Sequence, residues 1–421
     1  MAVDRSFAAR NQLPEGVKDR LPREAARLSG LGERLLAAFA AWGYRPVTTP
    51  AFEFMDTVSA GLTAASREDL YQFFDRRGRT LALRPDMTTP IARLVATKLA
   101  GEPLPLRLSY WADVFRHQGR KSGALHEVWQ AGVELVGAAG AAADAEVVAL
   151  ACEALAATGL EGYKVGLGHV DFVEGLFAYA GLSTAASDEL KEALVLRDFV
   201  AYEKGVATAG VKAETADLLL SLMSFHGDWQ AALSRYSGVD NARVKRALAQ
   251  LGETLGFLAA AGVQEQVALD LGLARSFGYY TGVVFEAFAP GVGLPVLGGG
   301  RYDGLLGEFG PPQPATGFAM DAEALLAALE RQGKVAPDAG IDYLVAAAPD
   351  CEAKALARTV ALRRQGLSVE LELLGRTGEA LLAYAKQRGA RELLVVGAEG
   401  EATSPLAGGR THRSGGVPSI H

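Results

Sequence analysis

The chain is organised around the stretch DLGLARSFGYYTGVVFEAFAPGVGLPVLGGGRYDG, residues 270 to 304. Its centre, Tyr279 to Phe288, is rich in aromatic and β-branched residues and predicts a β-strand. The glycines Gly298 to Gly300 follow, and glycine lets a backbone take positive φ or approach a ligand closely. Two interpretations are open. The stretch forms the wall of a polar small-molecule site, or it is a hairpin with a glycine-rich turn and packing tyrosines.

Length and composition limit what the chain around this stretch can be. Its 421 residues predict two or three folding units. A formal net charge of -7 argues against a broad nucleic-acid-binding surface. Cys152 and Cys351 have no metal-ligand spacing, so neither a disulfide framework nor a zinc site is predicted. The absence of a signal-peptide pattern and of any run of about 18 apolar residues predicts a cytoplasmic protein without a membrane partner.

The pattern along the chain predicts an α+β architecture. Residues 1–170 and 266–332 alternate strands and helices and form one core, and residues 171–265 have almost only helical periodicity, which predicts a helical insertion. Residues 341–398 follow a β-α-β-α-β order and predict a small α/β domain with a parallel sheet of its own. Residues 399–421 are rich in Gly, Ser and Arg and predict a flexible tail.

A second predicted strand, Leu125 to Val136, carries polar side chains on one face. Successive side chains of a strand point to opposite faces, so Gln130, Gly132 and Glu134 share one face and apolar residues share the other. Burying an amide and a carboxylate costs several kcal/mol unless they find partners. A polar ligand would supply those partners; the alternative is that this face is exposed to water.

Motifs narrow the function. The sequence has no phosphate-binding loop, dinucleotide-binding fingerprint, metalloprotease motif or nucleophile elbow. Five segments resemble, in order, the motifs of histidyl-tRNA synthetases: RPDMT (84–88), FRHQGRKSGALHEVWQAGVELVG (115–137), ARSFGYYTGVVFE (274–286), GGGRYDGL (298–305) and GFAMDAEAL (317–325). GYRPVTTPAFE (43–53) is similar to motif 1 of that family. The resemblance implies a class II aminoacyl-tRNA synthetase-like fold, an antiparallel sheet flanked by helices, with an anticodon-binding-like module at 341–398 that is truncated.

The resemblance also implies a set of histidine-binding residues. The positions that match the family's amino-acid site are Asp86, Thr88, Tyr110, Arg116, Gln130, Glu134, Arg275, Tyr279 and Tyr280, with the glycine cluster Gly298, Gly299 and Gly300 as the expected floor of the pocket.

These residue types suit a zwitterion. Asp86 would face the ammonium group, and Arg116 or Arg275 would face the carboxylate. Glu134 and Tyr280 would contact the two ring nitrogens. Each polar group of histidine therefore has a candidate partner.

The ATP half of the family's site is altered. Where the synthetases have a Gly and then an Arg that holds ATP, this sequence has Asp321 and Ala324, and Gln118, Gly119 and His126 replace further ATP-binding residues. Losing one arginine removes a charge-assisted donor worth about 1.5 to 3 kcal/mol. The differences favour the branch of the family that comprises the regulatory subunits of ATP phosphoribosyltransferase, which acts in the first step of histidine biosynthesis.

That branch implies a non-catalytic chain without cofactor, metal or catalytic residues of its own. Its expected partners are L-histidine as feedback ligand, a short-form catalytic subunit, and a second copy bound through the motif-1-like region. Most members of the branch resemble only the synthetase core, so the module at 341–398 departs from this assignment. Two alternatives stay open: a functional histidyl-tRNA synthetase, favoured by Arg275 and this module, and a stand-alone binding module for tRNA or another protein.

Overall fold

The computed structural model describes residues 11–63, 67–117, 125–225, 228–274, 278–335 and 340–406. The chain divides into two compact units, Met1–Val335 and Ala336–His421. The fold is α+β, as predicted. Within the described residues, no helix combines the length and the apolar character that crossing a membrane requires.

The first unit has alternating helices and strands, and one long helical stretch interrupts this alternation. Its helices are α1 (Pro22–Ala41), α2 (Met55–Val58), α3 (Thr88–Lys98), α4 (Ala141–Ala157), α5 (Val170–Tyr179), α6 (Thr184–Leu196), α7 (Phe199–Thr208), α8 (Ala213–Ser224), α9 (Trp229–Tyr236), α10 (Ala242–Ala260) and α11 (Ala322–Arg331), with a 3-10 helix at Leu305–Glu308. Its strands are β1 (Arg45–Pro46), β2 (Phe52–Phe54), β3 (Gln72–Phe74), β4 (Thr80–Leu83), β5 (Leu106–Phe115), β6 (Glu127–Val136), β7 (Lys164–His169), β8 (Val267–Leu269), β9 (Val283–Phe288), β10 (Leu297–Arg301) and β11 (Ala315–Asp321).

The main sheet has the strand order β1-β5-β6-β11-β10-β9-β7-β8. In this order, neighbouring strands between β5 and β7 pair antiparallel. The two edge strands, β1 and β8, pair parallel with β5 and β7. One face packs against α1 and α4 and forms the hydrophobic core, to which β6 contributes Ala131, Val133 and Leu135. The alternation predicted for β6 therefore holds, and Gln130 and Glu134 lie on the opposite face.

The stretch between β7 and β8 consists of the helices α5 to α10, as its periodicity predicts. The longest of them, α10, begins at Asn241, whose side chain accepts hydrogen bonds from the backbone N–H groups of Arg243 and Val244. It packs on α4 and α5 and buries Val244 and Leu251. The insertion is thus joined to the core through α10.

The predicted strand from Tyr279 to Phe288 is wrong in its first residues. Strand β9 begins at Val283, and Tyr279 and Tyr280 lie in the turn before it. Glycines at 278 and 282 flank this segment, and glycine weakens extended pairing. The tyrosine rings pack on each other instead, with centroids 4.8 Å apart.

The glycine cluster is the interior of strand β10 and not a turn. Its residues pair with β9 on one side and β11 on the other. A Cβ atom at Gly299 would overlap the carbonyl oxygen of Gly317 on β11. Glycine is needed here because two backbones approach closely, a reason that composition alone does not distinguish from a turn.

The second unit contains a four-stranded sheet in the order β13-β12-β14-β15. Its elements are β12 (Tyr343–Ala347), α12 (Glu352–Arg364), β13 (Val369–Leu371), α13 (Gly378–Gln387), β14 (Glu392–Val396) and β15 (Glu401–Pro405). The first three strands in chain order pair parallel, as the β-α-β-α-β pattern predicts.

The expected flexible tail from residue 399 is wrong for residues 401–405. Strand β15 pairs antiparallel with β14 along five residues. All five of its residues are exposed, so no apolar alternation marked them as a strand. Backbone hydrogen bonds hold them in place. Residues 407–421 of the expected tail lie outside the described residues.

Candidate ligand-binding site

A cavity of about 310 Å³ lies in the first unit, on the face of the main sheet opposite the core. Of the side chains predicted for a histidine site, the ones that line it are Asp86, Thr88, Tyr110, Arg116, Gln130, Glu134, Tyr279 and Tyr280. Arg275 lies outside the described residues. Residues from three separated parts of the chain therefore meet in one cavity.

The floor of the cavity runs across the sheet from Tyr110 through Ala319 and Gly298 to Glu286, all of which line it. In the strand register Tyr110 pairs with Gly132, Gly132 with Ala319, Ala319 with Gly298, and Gly298 with Glu286. A Cβ atom at Gly132 would overlap the hydroxyl group of Tyr110. Gly132 has no side chain between those of Gln130 and Glu134, and the Tyr110 side chain occupies that space.

One glycine of the predicted cluster lies at the floor of the cavity. Gly298 lines the cavity, whereas Gly299 and Gly300 are buried within the strand pairing. Side chains of a strand alternate between faces, so Gly299 belongs to the core face.

Glu134 is only 1% exposed. The Thr88 hydroxyl donates a hydrogen bond to one carboxyl oxygen over 2.8 Å, and the Tyr302 hydroxyl donates to the other. Burial raises the pKa of Glu134 from 4.5 to about 8, against these hydrogen bonds, which lower it. Glu134 is therefore mostly protonated at neutral pH.

Room for this carboxyl group comes from Gly317 on the neighbouring strand β11. Gly317 pairs with Glu134 in the strand register, and a Cβ atom there would overlap the carboxyl group. The glycine is the first residue of the segment GFAMDAEAL. It therefore matters to the cavity as well as to the strand.

Asp86 and Gln130 present buried acceptors without partners. Asp86 is 5% exposed, and its Oδ1 accepts the backbone N–H of Thr89 over 2.9 Å. Its Oδ2 and the Oε1 of Gln130 have no hydrogen-bond partner among the described residues. Burial raises the pKa of Asp86, and the nearby charge of Arg116 opposes that shift. Buried polar atoms are normally hydrogen-bonded, so the cavity is arranged for a donor.

Arg116 and Asp321 form a further part of the lining. The Nε of Arg116 donates to the carbonyl oxygen of Pro85 over 2.6 Å, which fixes the guanidinium group at the cavity. Asp321 caps helix α11 by accepting the backbone N–H of Ala324 over 2.8 Å. Burial raises the pKa of Asp321.

Of the other residues that differ from the synthetase pattern, Ala324 also lines the cavity, and His126 is not among the lining residues. The ring of His126 hydrogen-bonds to the hydroxyl of Tyr71. Its backbone N–H donates to the carbonyl oxygen of Gly16 over 2.7 Å. Gln118 and Gly119 lie outside the described residues.

The quoted motifs contain three further lining residues whose part in the cavity the motifs do not indicate: Tyr302, Glu286 and Gly317. Their positions are visible in the sequence, but their orientation follows from the folded chain. Among the described residues, no group of three or more His, Cys, Asp or Glu side chains is arranged to hold a metal ion.

An antiparallel sheet with helices against one face and a polar cavity on the other is the arrangement expected of a class II aminoacyl-tRNA synthetase-like protein. The sequence profile described as Histidyl-tRNA synthetase matches residues 16–325. The histidyl-tRNA synthetase of Nostoc shares the fold, with a TM-score of 0.79 at 20% identity over 94% of this chain and 97% of that one.

Relatives with higher identity specify the branch. An ATP phosphoribosyltransferase regulatory subunit of Symbiobacterium thermophilum is 58% identical over 92% of this chain and 97% of its own length. A Moorella thermoacetica protein of the same name is 45% identical over 90% and 96%. A structure from Bacillus halodurans titled as an ATP phosphoribosyltransferase regulatory subunit/histidyl-tRNA synthetase has a TM-score of 0.83 at 31% identity, covering 94% of this chain and 100% of that one. The chain therefore belongs to the histidyl-tRNA synthetase family, and within it to the ATP phosphoribosyltransferase regulatory subunits.

These relatives confirm the predicted branch and bear on the C-terminal module, which most regulatory subunits are expected to lack. The alignment with the Symbiobacterium protein spans 389 residues of the 421, which leaves too few residues unaligned for the unit after Val335 to be missing. The second unit is therefore shared with at least this relative.

Proposed function

We propose that this chain is the histidine-sensing regulatory subunit of an ATP phosphoribosyltransferase. It binds L-histidine in the cavity, associates with a short-form catalytic subunit, and performs no catalytic step itself. The observation that carries the proposal is the pair of unpartnered buried acceptors, Asp86 Oδ2 and Gln130 Oε1, in the wall of an amino-acid-sized cavity.

An ammonium group is the donor that these acceptors suit. It carries a positive charge and several N–H bonds in different directions, so one group can reach both oxygens. Asp86 is the anionic partner, and a cation beside it would counteract the raised pKa that burial gives its carboxyl group. Arg116 is the candidate partner for the ligand's carboxylate, because a guanidinium group suits carboxylate geometry.

Glu134 supports an imidazole as the ligand's side chain. The hydroxyls of Thr88 and Tyr302 already donate to its two oxygens. The proton of the neutral carboxyl group therefore remains for a ligand atom, and neutral imidazole has one acceptor nitrogen. Tyr280 also lines the cavity and supplies a hydroxyl for the second ring nitrogen.

ATP fits this cavity less well than histidine does. Asp321 and Ala324 line it where the synthetase pattern has glycine and an ATP-binding arginine. A second carboxyl group near triphosphate oxygens is repulsive when ionised. Loss of the arginine removes a charge-assisted donor. These features support a chain that senses histidine and does not activate it.

A homodimer through the motif-1-like region is part of the proposal. Strands β2 and β3 expose four phenylalanines in the described chain: Phe52, Phe54, Phe73 and Phe74. The rings of Phe52 and Phe73 pack edge to face at 5.7 Å, and Phe74 is 73% exposed. Contiguous exposed aromatic surface marks an interaction site. A second copy of the chain is the occupant that we propose.

Co-expression with a short-form catalytic subunit tests the proposal. We expect a complex that co-purifies, transfers phosphoribosyl groups to ATP only when this chain is present, and loses activity as L-histidine is added. The control is the catalytic subunit purified alone under the same conditions.

Two results would contradict the proposal. One is a catalytic subunit that is equally active and equally sensitive to histidine without this chain. The other is robust ATP–pyrophosphate exchange by this chain alone in the presence of histidine, which would identify a working synthetase.

A further inference from the structure

An arginine of the helical insertion reaches the main sheet beside the cavity. Arg197 follows the last residue of α6, and its Nη2 lies 2.8 Å from Oδ2 of Asp270 and 3.6 Å from Oε2 of Glu286. Its guanidinium carbon lies 5.2 Å from the ring centroid of Phe288. One side chain of the insertion therefore contacts residues near β8 and on β9.

The same corner of the insertion forms part of the cavity wall. Val195, two residues before Arg197, lines the cavity, and so does Glu286. Glu286 also ends the row of residues that makes up the floor. Arg197 thus contacts one lining residue, Glu286, and lies in the same corner as another, Val195.

The backbone at Arg197 is held in an uncommon conformation. Its φ is 52°, and among the described residues other than glycine only Asp350 also has positive φ. Such a conformation persists in a non-glycine residue when surrounding contacts determine it. Here the N–H groups of Arg197 and Asp198 close the end of α6 on the carbonyl oxygens of Leu194 and Ala193. The turn directs the arginine side chain to the sheet.

We propose that Arg197 is a positioning residue that holds the α6–α7 corner against the cavity, so that filling the cavity is sensed by the helical insertion. The ligand's part in this inference rests on the proposed function. A ligand that fills the cavity packs against Val195 and stabilises the corner only while Arg197 keeps it in place. Removing the arginine separates the insertion from the cavity without altering the residues proposed to hold histidine.

Hydrogen exchange in the full-length chain without ligand tests the anchoring. Arg197→Gly removes the side chain at a φ that favours glycine, so the backbone turn is retained, and Arg197→Lys keeps the charge. The control is Arg235→Ala, which breaks an ion pair with Asp217 inside the insertion. We expect exchange in residues 193–203 to be about two- to fivefold faster in Arg197→Gly, close to wild type in Arg197→Lys, and unchanged in the control. The difference should shrink at high ionic strength because the pair is partly exposed. Equal exchange in Arg197→Gly and wild type would overturn the anchoring.

Addition of L-histidine tests the coupling. We expect slower exchange in β6 in all variants, and slower exchange in residues 193–203 in wild type and Arg235→Ala but not in Arg197→Gly. Protection of the corner in Arg197→Gly would overturn the coupling. If histidine protects β6 in no variant, the proposed histidine site fails, while the comparison without ligand still decides whether Arg197 anchors the corner.

Discussion

Asp86 combines two tasks on its two carboxyl oxygens. Oδ1 accepts the Thr89 N–H at the start of α3, and Oδ2 lies unpartnered at the cavity. A substitution at Asp86 that keeps one oxygen can therefore retain the hydrogen bond to Thr89 while it removes the proposed contact with the ligand.

Asp86→Asn should weaken histidine binding and leave the fold intact. Asn retains an acceptor for the Thr89 N–H but removes the charge that faces the ammonium group. A hydrogen bond to a charged group is worth about 1.5 to 3 kcal/mol, so we expect calorimetry to report an affinity about ten- to a hundredfold lower. The control is Asp240→Asn, the same change at an exposed ion pair with Lys245. Affinities equal within about twofold would show that Asp86 does not hold the ligand.

Glu134 should make stability depend on pH. Its pKa is about 8 in the folded chain instead of 4.5, because of burial. Between these values the folded state keeps a proton that the unfolded state has lost. The contribution is therefore fully present below 4.5 and is lost as the pH rises through about 8, with a slope of up to about 1.4 kcal/mol per pH unit.

Glu134→Gln cannot ionise and should remove this slope. We expect the denaturation midpoint of wild type to fall relative to that of the variant as the pH rises from about 5 to about 8. Other buried carboxyl groups are common to both proteins and cancel in the comparison. Parallel midpoint curves would mean that Glu134 titrates normally.

At the scale of elements, the cavity depends on how three strands pair. Tyr110 on β5, Gly132 on β6 and Ala319 on β11 stand side by side, so the side chain of one fills the space left by the next. The strands β5 and β6 and their polar face were predictable from alternation. Which residue of β11 or β10 lies next to Gly132 was not, because register between distant strands is set by their pairing.

Gly132→Ala should damage the cavity and the sheet together. The added methyl group would overlap the Tyr110 hydroxyl and the Phe318 carbonyl oxygen, so we expect a loss of about 1 to 3 kcal/mol in the free energy of unfolding and no detectable histidine binding. Gly256→Ala, in open space on α10, is the matched control. It should stabilise the chain by about 0.5 to 1 kcal/mol. Denaturant unfolding measures the stability of both variants, and calorimetry measures their histidine affinity. A Gly132→Ala protein that binds histidine normally would contradict the described floor.

At the scale of the whole molecule, the cavity belongs to the first unit. The core of the first unit builds it, and the insertion reaches it at Val195. The second unit has a sheet and small cores of its own. By resemblance this unit favours a working synthetase, yet relatives named as regulatory subunits align along nearly the whole chain. The presence of this unit therefore does not separate the two branches of the family, whereas Asp321 and Ala324 are differences at the cavity itself.

Local periodicity is enough to predict the polar face of β6 and the helical insertion, and the resemblance to the synthetase motifs implies eight of the side chains that line the cavity. The folded chain was needed to show that Gly298 and not Gly299 lines the cavity, that Tyr302 donates to Glu134, and that Arg197 meets Glu286. These relations join residues far apart in the chain. Strand register places Gly298, tertiary packing brings the other two pairs together, and burial raises the pKa of Glu134. No local pattern of residues encodes these effects.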